Sequence, residues 1–157
     1  MSPLPLDPEL QSLIVAANHA RREALASTAP RQTSLAEQRL VREWDANRRL
    51  AVYGTLAPGR ENHHMVAGLD GSWSRGYVTG ELWQSGWGAR YGYPALRWDP
   101  SGDALGVSML SSRLLPEHWS ELDEFEGDEY LRIFVPVFDS PRVEARVVSV
   151  ANLYAVR

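Results

Sequence analysis

The residues best placed to do chemistry lie in Glu121–Arg132, which reads ELDEFEGDEYLR. Just upstream, Leu115, Trp119 and Leu122 recur at spacings of four and three, the mark of one face of a helix that Pro116 opens. The next position on that seam is Glu126, and Gly127 follows where a helix end favours a residue tolerant of left-handed geometry. This spacing sets a carboxylate at the end of an apolar stripe, beside the negative pole of a helix. Burial and the dipole both disfavour the charged form, so Glu126 is expected to carry a raised pKa and is a candidate acid/base. A turn residue that points to water fits the same spacing. Glu121, Asp123, Glu124, Asp128 and Glu129 fall mostly on the other faces and read as a solvated acidic surface.

A second candidate is Gly54-Thr55, at the end of the short apolar run Leu50–Tyr53. Where a buried strand stops pairing, its backbone N–H groups are left over and can hold a carboxylate or an oxyanion. The loop Gly54–Asn62 (GTLAPGREN) has neither the GxxxxGK[ST] nor the GxGxxG spacing, so nucleotide binding gets no support. His63 and His64 are adjacent, so their side chains diverge, and no third ligand stands at a spacing suited to zinc; no metal site is expected. His19 and His118 fall on helix surfaces. Trp73, Trp83, Trp87 and Trp98 could line a pocket, although packing over an open barrel end is the commoner use. Arg132 is placed to pair with a carboxylate near Glu126, as a structural ion pair or as a substrate contact.

The elements that must position these groups divide the chain in two. Asp7-Pro8 caps and opens a helix to about Ala26, whose face is Leu10, Leu13, Ile14, Ala17 and Ala20/Arg21. After a loop at Ser27–Gln32, Ser34 and Glu37 form a capping box for a second helix to about Ala46. From Arg49 the pattern turns to strands. Leu50–Tyr53, Arg75–Trp83, Ala95–Trp98, Ala104–Leu110, Arg132–Phe138 and Val143–Tyr154 read as strands, and Met65–Leu69 as a helical turn. Gly76 and Gly80 suggest a bend or bulge. Gln84–Tyr93, with three Gly and three aromatics, reads as a loop. One helix amid a strand majority implies an α+β fold, a mixed or antiparallel sheet closing towards a barrel. Residues 1–47 form an N-terminal helical extension and residues 48–157 the principal domain. The helices are expected to pack on that domain, and they also permit a homodimer.

Composition narrows the function classes. The chain has 157 residues, 44% of them apolar, which is enough for one real core. Its net charge of −4 and the absence of any basic block argue against nucleic acid as a partner. No apolar run approaches a membrane span, and residues 1–25 lack the pattern of a signal peptide. There are no cysteines, so disulfides, thiol nucleophiles and thiolate metal sites are excluded, and a cytoplasmic location is the default expectation.

Two stretches taken together carry a resemblance. Tyr53-Gly54-Thr55-Leu56, followed by Gly59 and Asn62-His63, then Tyr93-Pro94-Ala95-Leu96, then Leu122-Asp123-x-Phe125-Glu126-Gly127-x-x-Tyr130-x-Arg132, resembles the gamma-glutamylcyclotransferase (AIG2-like) family. The likeness runs from about Arg49 to Arg157 and leaves the N-terminal forty-odd residues outside. It implies a small mixed β-barrel with flanking helices. It also implies that the backbone amides of Tyr53, Gly54, Thr55 and Leu56 bind the α-carboxylate of a small γ-glutamyl substrate. Glu126 would then be the general acid/base, and Tyr154, with Tyr130 as a second candidate, would line the pocket. The implied reaction releases 5-oxoproline and a free amine, a transferase or lyase chemistry whose nucleophile is internal, so no cofactor is needed. The alternative of another class is a non-catalytic domain of the same fold that binds a small carboxylate or a protein partner.

Overall fold

The computed structural model describes residues 4–28, 32–83 and 94–157. The expected loops at Gln84–Tyr93 and around Pro30, together with Tyr93 and Trp87, fall wholly or partly outside the described residues. Helix α1 is Pro8–Leu25 and α2 is Leu35–Trp44. They are followed by a 3-10 turn at Ala46–Arg48, strand β1 (Arg49–Val52) and a short helix α3 (His64–Ala67). Then come β2 (Ser72–Trp83), β3 (Ala95–Trp98), β4 (Asp103–Ser111), α4 (Leu115–Glu126), β5 (Tyr130–Phe138) and β6 (Val147–Val156).

The local chemistry explains the boundaries. Asp7 caps α1 by accepting the Leu10 N–H at 3.0 Å, and Pro8 sits in the first turn where its missing N–H costs nothing. Ser34 caps α2 through the Glu37 N–H at 3.1 Å. That helix stops at Asp45, which takes a left-handed conformation at φ 54° and closes the last turn onto Val41. Asp99 makes the expected turn before β4, with its carboxylate accepting the Ser101 N–H and its carbonyl the Gly102 N–H, both at 2.9 Å.

The strands close on themselves. β1 pairs with β4, β4 with β2, β2 with β5, β5 with β6, and β6 returns to β1, a five-strand barrel. β3 is an additional strand between β2 and β6. The contacts of β6 with β1 and β3 are parallel and the other pairings antiparallel, so the expected mixed barrel is the fold observed.

Two sequence expectations are corrected here. β2 and β4 keep one register from Ser72↔Ser111 to Gly80↔Asp103, so Gly76 and Gly80 mark no bulge against β4. These glycines allow close approach instead. A Cβ at Gly76 would lie 2.5 Å from Val137 Cγ1, and one at Gly80 would run into the Arg97 carbonyl. β6 begins at Val147 rather than Val143, because Asp139 accepts the Arg146 N–H through its side chain and donates its own N–H to the Arg146 carbonyl. Those bonds hold residues 139–146 as a closed turn.

Alternation along β5 and β6 sorts the core. Leu131, Ile133, Val135, Val137, Ala151, Leu153 and Ala155 point into the barrel with Val78, Leu96 and Val107. The opposite face carries Phe134 and Val150, which are buried under Leu10, Ile14 and Ala17 of α1 and Leu40 of α2. The N-terminal helices are thus packed on the barrel, as expected. Helix α4 covers a third cluster, in which Leu115, Trp119 and Leu122 meet Leu50, Leu110 and Tyr154. Among the described residues, no helix is long and apolar enough to cross a membrane.

Candidate active site

The end of α4 is built as its periodicity requires. Leu115, Trp119 and Leu122 are buried, and Trp119 is pinned further by its indole N–H, which donates to the Asn47 carbonyl at 2.9 Å. Glu126 is the last helical residue, half-buried at the edge of a cavity of about 390 Å³. Gly127 turns the chain away at φ 79°, ψ −170°, a region that residues with a Cβ essentially do not enter, while its N–H returns to the Asp123 carbonyl at 3.1 Å. Gly127→Ala is therefore expected to cost roughly 1–3 kcal/mol, read as a lower urea midpoint. Because the strained residue adjoins Glu126, the same variant should lose activity at temperatures where it remains folded.

Burial first, and then the neighbouring Asp123 carboxylate, push the Glu126 carboxyl up to about 7. A carboxylic acid tuned to that value can accept and return a proton near neutral pH. The raised pKa expected from the helical seam is what this environment produces, through burial and a like charge.

Strand β1 stops at Val52 and the chain enters the Gly54–Asn62 loop, which borders the same cavity. The loop is braced from inside. Asn62 donates its side-chain amide to Thr55 Oγ1 and its backbone N–H to the Thr55 carbonyl, both at 2.9 Å. His63 Nδ1 meets the Leu56 carbonyl at 2.9 Å, and since a carbonyl only accepts, Nδ1 carries the hydrogen. The ring also lies 5.4 Å from that of Trp73, so His63 is a loop strut. Among the described residues, the backbone N–H groups of Gly54, Thr55 and Leu56 have no acceptor. Three amides at a strand end beside a cavity form a ready cradle for a carboxylate.

The predicted site residues Tyr53, Gly54, Thr55, Leu56, Glu126, Tyr130 and Tyr154 all border this one cavity. The phenol of Tyr53 has a different use from its backbone. It donates to the Tyr154 carbonyl at 2.6 Å and accepts the Leu96 N–H at 2.9 Å, tying β1 to β6 and β3. Burial pushes this phenol well above its usual pKa. Tyr53→Phe should leave two backbone groups unpaired and lower stability by about 1–3 kcal/mol, measurable by denaturant titration. The Tyr130 hydroxyl points towards the Pro94 carbonyl, 3.5 Å away. The Tyr154 hydroxyl donates to Asp123 Oδ1 at 2.6 Å, and burial followed by that bond raises its pKa. Among the described residues no Trp borders the cavity.

Asp123 requires a correction, because it is more than solvated surface. Its carboxylate accepts from Tyr154 and from the Arg132 guanidinium, with Nε at 2.9 Å and Nη2 at 3.4 Å. Arg132 is thus the structural ion pair that its position allowed. Glu129, also assigned to the acidic surface, borders the cavity with Arg60 and Asn62. Spacing put Asp123 near the seam, three residues before Glu126 and four after Trp119, but carried no signal of its partners on β5 and β6. Arg60 had no comparable signal, since a side chain in a nine-residue loop has no period to place it.

Three backbone N–H groups at a strand end and a carboxyl whose pKa is raised thus border one cavity, an arrangement chemically suited to holding a small anion beside a group that can exchange a proton. Residues 50–156 match the family model described as "Gamma-glutamyl cyclotransferase, AIG2-like", and the chain belongs to that family. Comparison with curated proteins finds no match. Among solved structures the chain is similar to YkqA from Bacillus subtilis, at 23% identity and TM-score 0.49, covering 69% of this chain and 35% of that one. It is also similar to an AIG2-like protein from Mus musculus, at 21% identity and TM-score 0.49, covering 69% of this chain and 76% of that one. An uncharacterized protein, PH0828 from Pyrococcus horikoshii, shows 20% identity and TM-score 0.47 with the same coverage of 69% and 76%. The chain thus spans about a third of the length of YkqA.

Proposed function

We propose that this protein is a cyclotransferase that converts a γ-glutamyl amide into 5-oxoproline and a free amine. One observation carries the reading: a single cavity is bordered both by the amides of Gly54–Leu56 and by a Glu126 carboxyl held near 7. The amides take the α-carboxylate of the glutamyl group and fold its chain so that the α-amine approaches the γ-carbonyl carbon. Holding these two groups of one molecule together supplies much of the rate, because the attack is already intramolecular. The α-nitrogen forms a bond to the carbonyl carbon as the bond to the leaving nitrogen breaks. Glu126 removes the proton that the α-nitrogen sheds and returns it to the departing amine. No water enters the balance, and no side-chain nucleophile is consumed.

The reading is tested by incubating the full chain with γ-glutamyl amino acids, γ-glutamyl peptides, γ-glutamyl polyamines and ε-(γ-glutamyl)lysine, and measuring 5-oxoproline. Release from at least one class is expected, and the best substrate names the leaving amine. Saturable binding of these compounds with no release, unchanged in Glu126→Gln, would replace the enzyme with a carboxylate-binding domain.

A further inference from the structure

The polar groups behind the cavity form a chain that reaches outside the family-matched residues. Tyr154, one of the residues that border the cavity, gives its only hydroxyl proton to Asp123, since a carboxylate can only accept; the phenol oxygen is left with lone pairs for a further donor. Asp123 is oriented by the Arg132 fork, and Arg132 is itself held by its Nη1, which donates to Asn152 Oδ1 at 2.8 Å, and by stacking 4.4 Å over the Trp119 ring. The strand register makes this possible: Arg132 lies opposite Tyr154, and Phe134 opposite Asn152, all on the helix-covered face of β5 and β6.

Asn152 is fully buried, and its amide nitrogen donates to the Ala46 carbonyl at 2.8 Å, which turns Oδ1 towards two arginines. The second is Arg21 of α1, whose Nη1 donates to Asn152 Oδ1 at 2.9 Å and to the Arg132 carbonyl at 3.0 Å. Arg21 is in turn gripped by the Glu37 carboxylate of α2 at 2.9 and 3.1 Å, and its guanidinium lies 3.9 Å over the Phe134 ring. Each link is short, and Arg21 is only 5% exposed. Charge-assisted links of this kind fix orientation along their length.

We propose that α1 is part of the site's machinery, with Arg21 and Asp123 as positioning residues. Acting through Asn152 and Arg132, they hold the Tyr154 hydroxyl with its proton on Asp123 and its lone pairs left for a further donor. In the cyclotransferase reading, on which this last use rests, a lone pair accepts an N–H of the substrate α-amine and holds it beside Glu126. Helix α1 is then more than a cover for Phe134 and Val150.

The test reads the chain of bonds separately from turnover. The full protein is labelled with [13Cζ]tyrosine, the Tyr154 resonance is assigned with Tyr154→Phe, and its position is compared in Arg21→Gln, Arg21→Lys and Ile14→Ala. Arg21→Lys keeps a charge opposite Glu37 if Arg21→Gln folds poorly. Ile14→Ala weakens α1 packing without touching a hydrogen bond, and thermal unfolding ranks the three for stability. The Tyr154 resonance is expected to move beyond its linewidth in both Arg21 variants and to stay in place in Ile14→Ala. Turnover at saturating substrate should fall about five-fold in Arg21→Gln, and by much less when the same change is made in Tyr154→Phe. A resonance unmoved in both Arg21 variants, or moved equally in Ile14→Ala, overturns the proposal whatever the turnover. Equal losses of turnover in the two backgrounds overturn the use of Tyr154. A moved resonance in a protein that releases no 5-oxoproline overturns the cyclotransferase reading and leaves the positioning chain standing.

Discussion

Glu126→Gln is expected to slow the release of 5-oxoproline at saturating substrate by roughly 10²–10⁴-fold, the range typical of a lost general acid/base. The amide keeps the size and hydrogen-bonding reach of the carboxyl but cannot cycle a proton. Substrate binding should persist, because the carboxylate grip proposed for Gly54–Leu56 lies on a different segment, so the loss should appear in kcat far more than in KM. In the wild type, kcat/KM should fall on the acid side with an apparent pKa near the value of about 7 set by burial and Asp123. That limb should vanish in the variant. A Glu126→Gln enzyme with substantial activity and an unchanged acid limb would remove Glu126 from the mechanism.

The same substitution should alter stability in a direction fixed by linkage. In the unfolded chain Glu126 titrates near the ordinary 4.5, and in the fold near 7. Between those values the folded state binds the extra proton, so stability from this group is fully present below about 4.5 and lost as pH rises through 7. Glu126→Gln, which never ionises, should escape that loss. Its stability relative to wild type should rise across this window by on the order of 1–3 kcal/mol, as a group only half withdrawn from water allows. Urea titrations at pH 4 and pH 8 would read the difference. The site therefore holds its acid at a cost to stability, which is a reason to expect the residue to serve a reaction.

The largest stability effect is expected at Asn152, a residue that touches no substrate in this scheme. Asn152→Leu nearly preserves volume but removes the acceptor of two guanidinium groups and the donor to Ala46. Arg21 and Arg132 would each lose a buried, charge-assisted bond, and the Ala46 carbonyl would lose a partner. Unsatisfied buried groups of this kind cost about 1–3 kcal/mol each, and shared networks raise the total, so a loss of roughly 3–5 kcal/mol is expected. For a chain of this size that is a fall in melting temperature of about 10 °C or more. Asn152→Asp, which restores an acceptor between the two arginines and loses only the amide donor, should recover a large part. If the leucine variant proved as stable as wild type, the buried network would be a packing detail with no energetic weight.

Much of this protein was legible in its residues, and the reason is local periodicity. The α1 face, the Asp7 and Ser34 caps, the approximate places of the strands and the α4 seam all follow from spacing along one element, where each side chain's direction is set by its neighbours in sequence. For the same reason Glu126 could be singled out before any tertiary contact was known. The loop at Gly54–Leu56 was visible as a strand end.

Other features needed the folded chain. Asp123 read as one acidic surface residue among several until β6 placed the Tyr154 hydroxyl 2.6 Å from it. Gly76 and Gly80 read as a bend or bulge because isolated strand glycines usually mark one, yet the register with β4 is unbroken and Val137 and Arg97, far along the chain, demand the missing side chains. Arg21 looked like one flank of an amphipathic helix, whereas its guanidinium is spent on Glu37, Asn152 and the Arg132 carbonyl. Residue order was enough to say which side chains share a face and which carboxyl sits at the end of an apolar stripe. Which polar groups meet across faces was settled by packing of the elements against one another. A hydrogen bond requires two groups within about 3 Å and correctly oriented, and no spacing rule holds that distance between residues more than a hundred positions apart.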